Sequence, residues 1–230
     1  EVCETFDVSE ATARRDLETL AGQGRLQRVH GGAIALTEAP PESPILQREG
    51  EQAEEKARIG WAAAALVQDG ETVFLGSGST VLEAARALRS RHGLTVITNS
   101  LPVVNAFAGR EDIQVICLGG MLRDSELSFI GHITEQALAE VRADKVILGT
   151  RAISLEQGLT NDYLQETMTD RAILKAGREV IIVADRSKLG RVATALLAPL
   201  ESVHTLVTDR DAPQDFIDAV RERGLRVITA

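Results

Sequence analysis

Cysteine is scarce in this chain. Cys3 and Cys117 are the only two in 230 residues, too few for a disulfide framework, and their apolar neighbours predict buried free thiols suited to a reducing cytoplasm. Long apolar runs are missing as well. No stretch approaches the ~20 residues that cross a bilayer, and the opening residues carry no signal-peptide pattern, so no membrane partner is expected. An excess of positive charge is also lacking: 25 Lys and Arg face 34 Asp and Glu, a net charge of −9. That excludes a protein that coats nucleic acid indiscriminately, but not a small local DNA footprint on an acidic body. The four histidines, His30, His92, His132 and His204, are scattered without a ligand-spaced pair, and neither a metal nor another cofactor is expected.

What is present is ordinary globular composition, 44% hydrophobic and 26% charged, with room for one small and one medium domain. The first break is Thr37-Glu38-Ala39-Pro40-Pro41-Glu42-Ser43-Pro44, where three prolines exclude helix and central strand and predict a stiff linker. The expected organisation is a small domain over 1–36, a linker over 37–45 and an α/β domain over 46–230. A long helix is predicted from Leu46 to Val67. Beyond it, apolar runs at Thr72–Leu75, Thr95–Thr98, Ile113–Leu118, Lys145–Leu148, Val180–Ala184, Thr205–Thr208 and Arg226–Thr229 read as strands. Helices are predicted between several of them (Val81–Arg89, Glu135–Val141, Glu166–Ala176, Gln214–Arg223), which makes a largely parallel sheet covered by helices.

In the small domain Val2 to Phe6 reads as the end of a helix, Asp7-Val8 as a turn and Ser9 as the N-cap of the next helix. Ala13, Leu17, Leu20 and Ala21 recur at helical spacing and form its apolar face. Thr12 and Arg15 fall on the opposite face and Arg14 at the flank, the pattern of the second helix of a helix-turn-helix. Arg15 suits a guanine edge, Arg14 a phosphate, and Ser9 a cap that doubles as a phosphate contact. After Gly22-Gln23-Gly24, strands Arg25–His30 and Ala33–Leu36 flank a Gly31-Gly32 turn, a β-wing with Arg28 and His30 near its tip. The charge balance from Ser9 to Gly31 is only +1 (four Arg against Glu10, Asp16 and Glu18), and a plain helix and hairpin with solvated arginines would show the same periodicity.

In an open parallel sheet ligands bind beyond the carboxyl ends of the strands. Gly76-Ser77-Gly78-Ser79-Thr80 follows the first predicted strand and opens a helix, a cradle of backbone N–H groups and hydroxyls for a phosphate. With no lysine after its glycines it is not a P-loop, and it lacks the dinucleotide spacing. Thr98-Asn99-Ser100, Gly119-Gly120, Gly149-Thr150-Arg151 and Asp185-Arg186-Ser187-Lys188 follow other strands. The candidate ligand residues are Gly76, Ser77, Gly78, Ser79, Thr80, Thr98, Asn99, Ser100, Gly119, Gly120, Arg151, Glu166, Asp185 and Lys188. Lys188 suits a phosphate or a sugar oxygen, and Glu166 either sugar hydroxyls or a solvated place at its helix's positive end.

The run Val8-Ser9-Glu10-Ala11-Thr12-Ala13-Arg14-Arg15-Asp16-Leu17-Glu18-Thr19-Leu20, then Gly24-Arg25-Leu26-Gln27-Arg28-Val29-His30-Gly31-Gly32-Ala33, resembles the signature of the DeoR family of bacterial regulators. The resemblance implies a winged helix-turn-helix whose recognition helix is Ser9–Ala21, with its first helix supplied by residues preceding Glu1. From about Ala57 to Asp209 the chain resembles that family's sensor domain, an α/β fold of the ribose-5-phosphate-isomerase type, through Phe74–Thr80, Thr98-Asn99-Ser100, Leu118-Gly119-Gly120, Gly158-Leu159-Thr160 and Asp185–Gly190. It implies a cytoplasmic regulator, a repressor of carbohydrate metabolism, whose partners are double-stranded operator DNA and a small phosphorylated metabolite. Such readers work as homodimers or homotetramers. One departure stands out. Where the family commonly carries Gly-Ala-Asp-Gly-Ile this chain has Gly149-Thr150-Arg151-Ala152-Ile153, and a lysine frequent in the following helix is Asp170. Two explanations fit: an effector with an extra negative charge, or mutual compensation of the two residues. The alternative function is a sugar-phosphate isomerase-like enzyme with Asp185 or Glu166 as base and Lys188 as stabiliser; fold likeness alone warrants it weakly, and a non-enzymatic sensor is expected.

Overall fold

Ser9 caps the N-terminal unit's second helix as its sequence requires: its hydroxyl accepts the N–H of Thr12 at 3.2 Å. The computed structural model describes residues 2–6, 8–22, 26–29, 32–35, 39 and 42–230. Helix α1 (Val2–Phe6) precedes α2 (Glu10–Gly22), followed by antiparallel strands β1 (Leu26–Val29) and β2 (Gly32–Ala35). Val29 pairs with Gly32, so Gly32 belongs to the return strand rather than to the expected turn. Ala13 is buried, and Leu17, Leu20 and Ala21 are half-buried, on one side of α2.

The long helix predicted from Leu46 to Val67 is two pieces, α3 (Ile45–Arg48) and α4 (Ala53–Ala64). Gln52, in the left-handed region at φ 51°, breaks it. Then follow β3 (Thr72–Leu75), α5 (Ser79–Leu88), β4 (Thr95–Thr98), α6 (Leu101–Ala106) and β5 (Gln114–Cys117). Two elements with no periodicity to announce them come next, the hairpin β6 (Met121–Arg123) and β7 (Ser128–Ile130). Helix α7 (His132–Ala139) and strand β8 (Ala143–Gly149) lead into the short β9 (Ala152–Ser154) and β10 (Gly158–Asn161). The chain closes with α8 (Leu164–Ala176), β11 (Gly177–Val183), β12 (Ala195–Ala198), β13 (Thr205–Thr208), α9 (Gln214–Glu222) and β14 (Arg226–Thr229).

Seven parallel strands form the main sheet in the order β14-β13-β11-β8-β3-β4-β5. Its inner strands alternate between two buried cores. Val73, Leu75, Ile147, Ile181 and Val183 pack against α4 and α5, while Phe74, Val146, Leu148, Val180 and Ile182 face α7, α8 and α9. Both faces are covered, as a parallel sheet requires. The predicted α/β class and parallel sheet are therefore present, with an additional three-stranded antiparallel sheet, β12-β10-β9, standing beside them. The thiols depart from expectation: Cys117 is exposed and Cys3 only half-buried. The cause for Cys117 is its place on β5, the edge strand of the sheet. Among the described residues no helix is long and apolar enough to cross a membrane.

Candidate functional site

The chain leaves β3 for β4 and β5 on one side, and leaves β8 for β11, β13 and β14 on the other. The order thus reverses between β3 and β8, and a crevice at the carboxyl ends follows from that reversal. A cleft of about 710 Å³, its open mouth included, lies there and is lined by Ser77, Gly78, Ser79 and Thr80. Gly78, at φ 112°, turns the chain into α5. No side chain caps that helix, so the N–H groups of its first turn join the Ser77, Ser79 and Thr80 hydroxyls as donors to an anion. Gly76 stands behind the loop rather than in the cleft. Its N–H donates to the Ile147 carbonyl at 3.0 Å, and a Cβ there would lie 2.4 Å from Leu148 Cδ1, so a larger residue would have to displace the tip of the Leu148 side chain.

Four cations share the cleft: Arg48 from α3, Lys56 from α4, Arg151 after β8 and Lys188 after β11. Asp185 presents Lys188, because its Oδ1 accepts the Ser187 N–H at 2.9 Å and caps the short turn Arg186–Lys188. Lys56 Nζ donates to the Arg48 carbonyl at 2.6 Å; burial lowers its pKa, with Asp185 pulling the other way. Arg151, one of the expected ligand residues, is buried. Its Nε donates to Asp162 at 2.8 Å and its N–H to Asn161 Oδ1 at 3.0 Å. Asn161 in turn donates to Asp170 at 2.9 Å. The two residues that depart from the family pattern are thus joined through Asn161.

Into this cluster the proline-rich segment sends Glu42. Its Oε1 lies 2.8 Å from Arg48 Nη1, 3.3 Å from Lys188 Nζ and 3.5 Å from Arg151 Nη1. Burial pushes its carboxyl up, but Lys188, Arg48 and Arg151 together outweigh burial and hold it below the usual carboxylate value. Glu42, in the segment read as a linker, is therefore fastened to the cleft. Arg48 also grips Glu126 with both oxygens at 2.5 Å, and Ile45 N–H donates to the Ser125 carbonyl at 2.8 Å.

A second wall is acidic. Glu166 is buried, receives the Ser77 and Ser128 hydroxyls at 3.5 and 3.4 Å, and pairs with Arg123, so its solvated reading does not hold. Arg123 lies over the Tyr163 ring, 4.8 Å from its centroid. Burial raises the pKa of Glu166 against the pull of Arg123, and raises that of Asp170 well above its ordinary value, with Glu166 adding to the shift. Burial lifts Glu126 to about 7 against the pull of Arg48, helped by Glu42 and Glu166. Protonated carboxyls here would donate to hydroxyl oxygens, and ionised ones would accept from them.

Of the expected ligand residues, Ser77, Gly78, Ser79, Thr80, Arg151, Glu166, Asp185 and Lys188 line the cleft. The remaining ones do not. Thr98 Oγ1 donates to the Leu75 carbonyl at 2.6 Å and accepts the Ser100 N–H at 3.0 Å, and Asn99 Nδ2 donates to the Phe129 carbonyl at 2.8 Å. Asn99 and Ser100, the latter bridged to Ser128, thereby tie the end of β4 to the β6–β7 hairpin, while Thr98 ties it to β3. The Gly119 carbonyl accepts Thr134 Oγ1 at 2.9 Å, and Gly120 leaves no room for a Cβ beside that threonine. Sequence reasoning missed Glu42, Arg48, Lys56, Glu126 and Asn161. Only Asn161 had a signal, its place directly after Gly158-Leu159-Thr160.

On the reader half, Ser9, Thr12, Arg14 and Arg15 are all exposed along one end of α2. Arg28 stands on β1, but its side chain, and His30 altogether, lie outside the described residues. Residues 1–39 match the family model described as the DeoR-like helix-turn-helix domain, and residues 51–210 that of the DeoR C-terminal sensor domain.

The chain belongs to the DeoR family. It is 34% identical over 222 residues to the transcriptional repressor AccR of Agrobacterium fabrum, covering 96% of this chain and 85% of that protein. It is 34% identical over 227 residues to the glycerol-3-phosphate regulon repressor of Escherichia coli, covering 99% and 90%. The repressor GlcR of Bacillus subtilis is 33% identical over 228 residues, covering 99% and 88%. These DeoR-family relatives are thus named as transcriptional repressors over nearly their whole length. Among solved structures, ribose 5-phosphate isomerase A of Methanocaldococcus jannaschii is similar at a TM-score of 0.44 and 19% identity, over 60% of this chain and 55% of that one.

Proposed function

We propose that this DeoR-family chain represses a carbohydrate-metabolism operon in the cytoplasm, and that a phosphorylated sugar bound in the β3/β8 cleft changes its affinity for double-stranded operator DNA. One observation carries the reading: an uncapped helix N-terminus with three hydroxyl residues shares a cleft with four cations and the four buried carboxyls of Glu126, Glu166, Asp170 and Asp185. The loop suits a phosphate, and the carboxyls with Asn161 suit the hydroxyls of a sugar. The two units, 1–36 and 46–230, act through the segment between them, and two copies of the chain bring two recognition helices to two half-sites. We read the domain as a sensor rather than a catalyst because both nominated bases are engaged. Glu166 is paired with Arg123, and Asp185 caps the Lys188 turn.

Thermal unfolding in a panel of sugar phosphates, each beside its unphosphorylated parent, tests the ligand half. A phosphate ester at ~100 times its dissociation constant stabilises the fold by ~2.7 kcal/mol, its parent does not, and Ser79→Ala abolishes the shift. If every ester leaves the transition where it was, the sugar-phosphate reading is wrong. For the DNA half, Arg15→Ala is expected to weaken binding to an operator selected from random DNA by ~1–3 kcal/mol while leaving unrelated DNA nearly unaffected. Fluorescence anisotropy at one salt concentration reads both; an equal loss on both sequences would make Arg15 a phosphate contact instead.

A further inference from the structure

The anion-binding features of the cleft come as two separate sets. The Ser77–Thr80 loop and the first turn of α5 supply neutral donors. The guanidiniums of Arg48 and Arg151 and the ammonium of Lys188 supply fixed charge, and a carboxylate already sits among them. Arg48 and Arg151 are each 8% exposed, so this is a built pocket rather than a chance meeting of surface side chains. Arg48 keeps Glu126 and Arg151 keeps Asp162 as second partners. Removing Glu42 would therefore leave a net positive seat without leaving either guanidinium unpaired.

We propose that Arg48, Arg151 and Lys188 form an anion subsite which the chain's own Glu42 occupies, and that the effector presents to it a second anionic group, a carboxylate or phosphate, besides the phosphate held by the Ser77–Thr80 loop. The effector class is thus a phosphorylated sugar acid or a sugar bisphosphate, and its second anion takes the place of Glu42. This rests on reading the loop as the phosphate seat. It accounts for the departure at Arg151, since a cation where the family commonly has an acid turns a hydroxyl-binding wall into one that takes an oxyanion. The same arrangement gives the signal a route. Glu42 lies seven residues after Ala35, the end of the wing strand β2, and three before Ile45, which is bonded to the hairpin at Ser125. Expelling Glu42 frees the segment that leads into the DNA reader. The effector then binds the two states of that segment with different affinity, which is what coupling demands.

The test is calorimetric titration of the full chain and of Glu42→Gln with three pairs of probes that differ in one anionic group. The pairs are glucose 6-phosphate with 6-phosphogluconate, fructose 6-phosphate with fructose 1,6-bisphosphate, and glyceraldehyde 3-phosphate with 3-phosphoglycerate. In at least one pair the second anion is expected to tighten binding to the unaltered chain at least about ten-fold. Glu42→Gln should tighten that two-anion ligand about ten-fold more, as removal of an internal competitor that occupies its seat nine-tenths of the time would, and leave its one-anion partner within about two-fold. Hydrogen exchange on the unaltered chain supplies a reading that needs no variant: the two-anion ligand speeds exchange at the Ile45 amide and the one-anion ligand does not. If one-anion esters bind but the second anion adds nothing in any pair, or if Glu42→Gln changes both members alike, the subsite is overturned while the sugar-phosphate reading stands. If no ester binds either protein, both fall together.

Discussion

Above about pH 7, where Glu126 is ionised, Arg48→Met is expected to destabilise the folded chain by ~3–5 kcal/mol, because it strands the buried Glu126 carboxylate without a partner. Arg48 holds Glu126 with two bonds of 2.5 Å, and the side chains of the pair are 10% and 6% exposed. Its Nε donates to the Ser43 carbonyl at 2.7 Å and its Nη1 to Glu42 at 2.8 Å, so one guanidinium joins the proline-rich segment, α3 and the β6–β7 hairpin. The desolvation of these ions is already spent in the native fold, and removing the cation leaves that cost uncompensated. In a chain of this size the loss corresponds to a fall in the unfolding midpoint on the order of 10 °C. The double variant Arg48→Met/Glu126→Leu should recover most of it, since replacing both members of a buried pair by apolar groups is close to neutral. Chemical denaturation of the two variants beside the parent decides the matter. A single-variant loss below about 1 kcal/mol would mean that water reaches the pair and that it is worth no more than a surface bridge.

This guanidinium also marks where the sequence stops being legible. The loop at residues 76–80 is readable because every step is local: an apolar strand, then glycines, then hydroxyls at the start of a helix. The seven strands of the sheet and the cap at Ser9 are readable for the same reason, through period and N-cap chemistry. Glu42, Arg48 and Glu126 carry no such mark. Arg48 meets Glu126 across 78 residues and Lys188 meets Glu42 across 146, and no spacing rule connects residues that only the tertiary fold brings together. The β6–β7 hairpin that supplies Glu126 is built of three-residue strands, too short to show alternation.

The misplacement of Thr98, Asn99, Ser100, Gly119 and Gly120 has a different origin. It comes from treating every strand end as part of one rim. Only the ends beside the reversal of strand order line the crevice. β4 and β5 stand one and two strands away from β3, roughly 5 and 10 Å at the usual strand spacing, and their carboxyl ends are used to hold the hairpin instead. The break at Gln52 has a different status: residues 47–52, Gln-Arg-Glu-Gly-Glu-Gln, hold no apolar side chain and include Gly50, an interruption that the single long-helix reading runs across. That break lets α3 turn Arg48 and α4 turn Lys56 into the same cleft.

Raising the pH from about 5 to about 8 is expected to weaken the fold through Glu126. Its carboxyl is lifted from an ordinary 4.5 to about 7 by burial and by the neighbouring Glu42 and Glu166, against the pull of Arg48. The folded state therefore holds this proton more tightly than the unfolded chain does. Its contribution to stability is complete below about 4.5 and is lost as the pH rises through about 7. The difference of about 2.5 between the two values is worth on the order of 3 kcal/mol. Glu166 and Asp170, both raised chiefly by burial, act in the same direction. Glu42, held low, acts in the opposite one: its contribution is present above the ordinary carboxylate value and is lost toward acid, outside this window. Denaturation at a series of pH values from 5 to 8 should show stability falling in the parent and falling less steeply in Glu126→Gln, which keeps the shape of the side chain but cannot titrate. Curves that run parallel for the two proteins would mean that the grip of Arg48 keeps Glu126 ionised throughout. The carboxyl wall of the cleft would then offer acceptors alone to a sugar, with no proton to give from this residue.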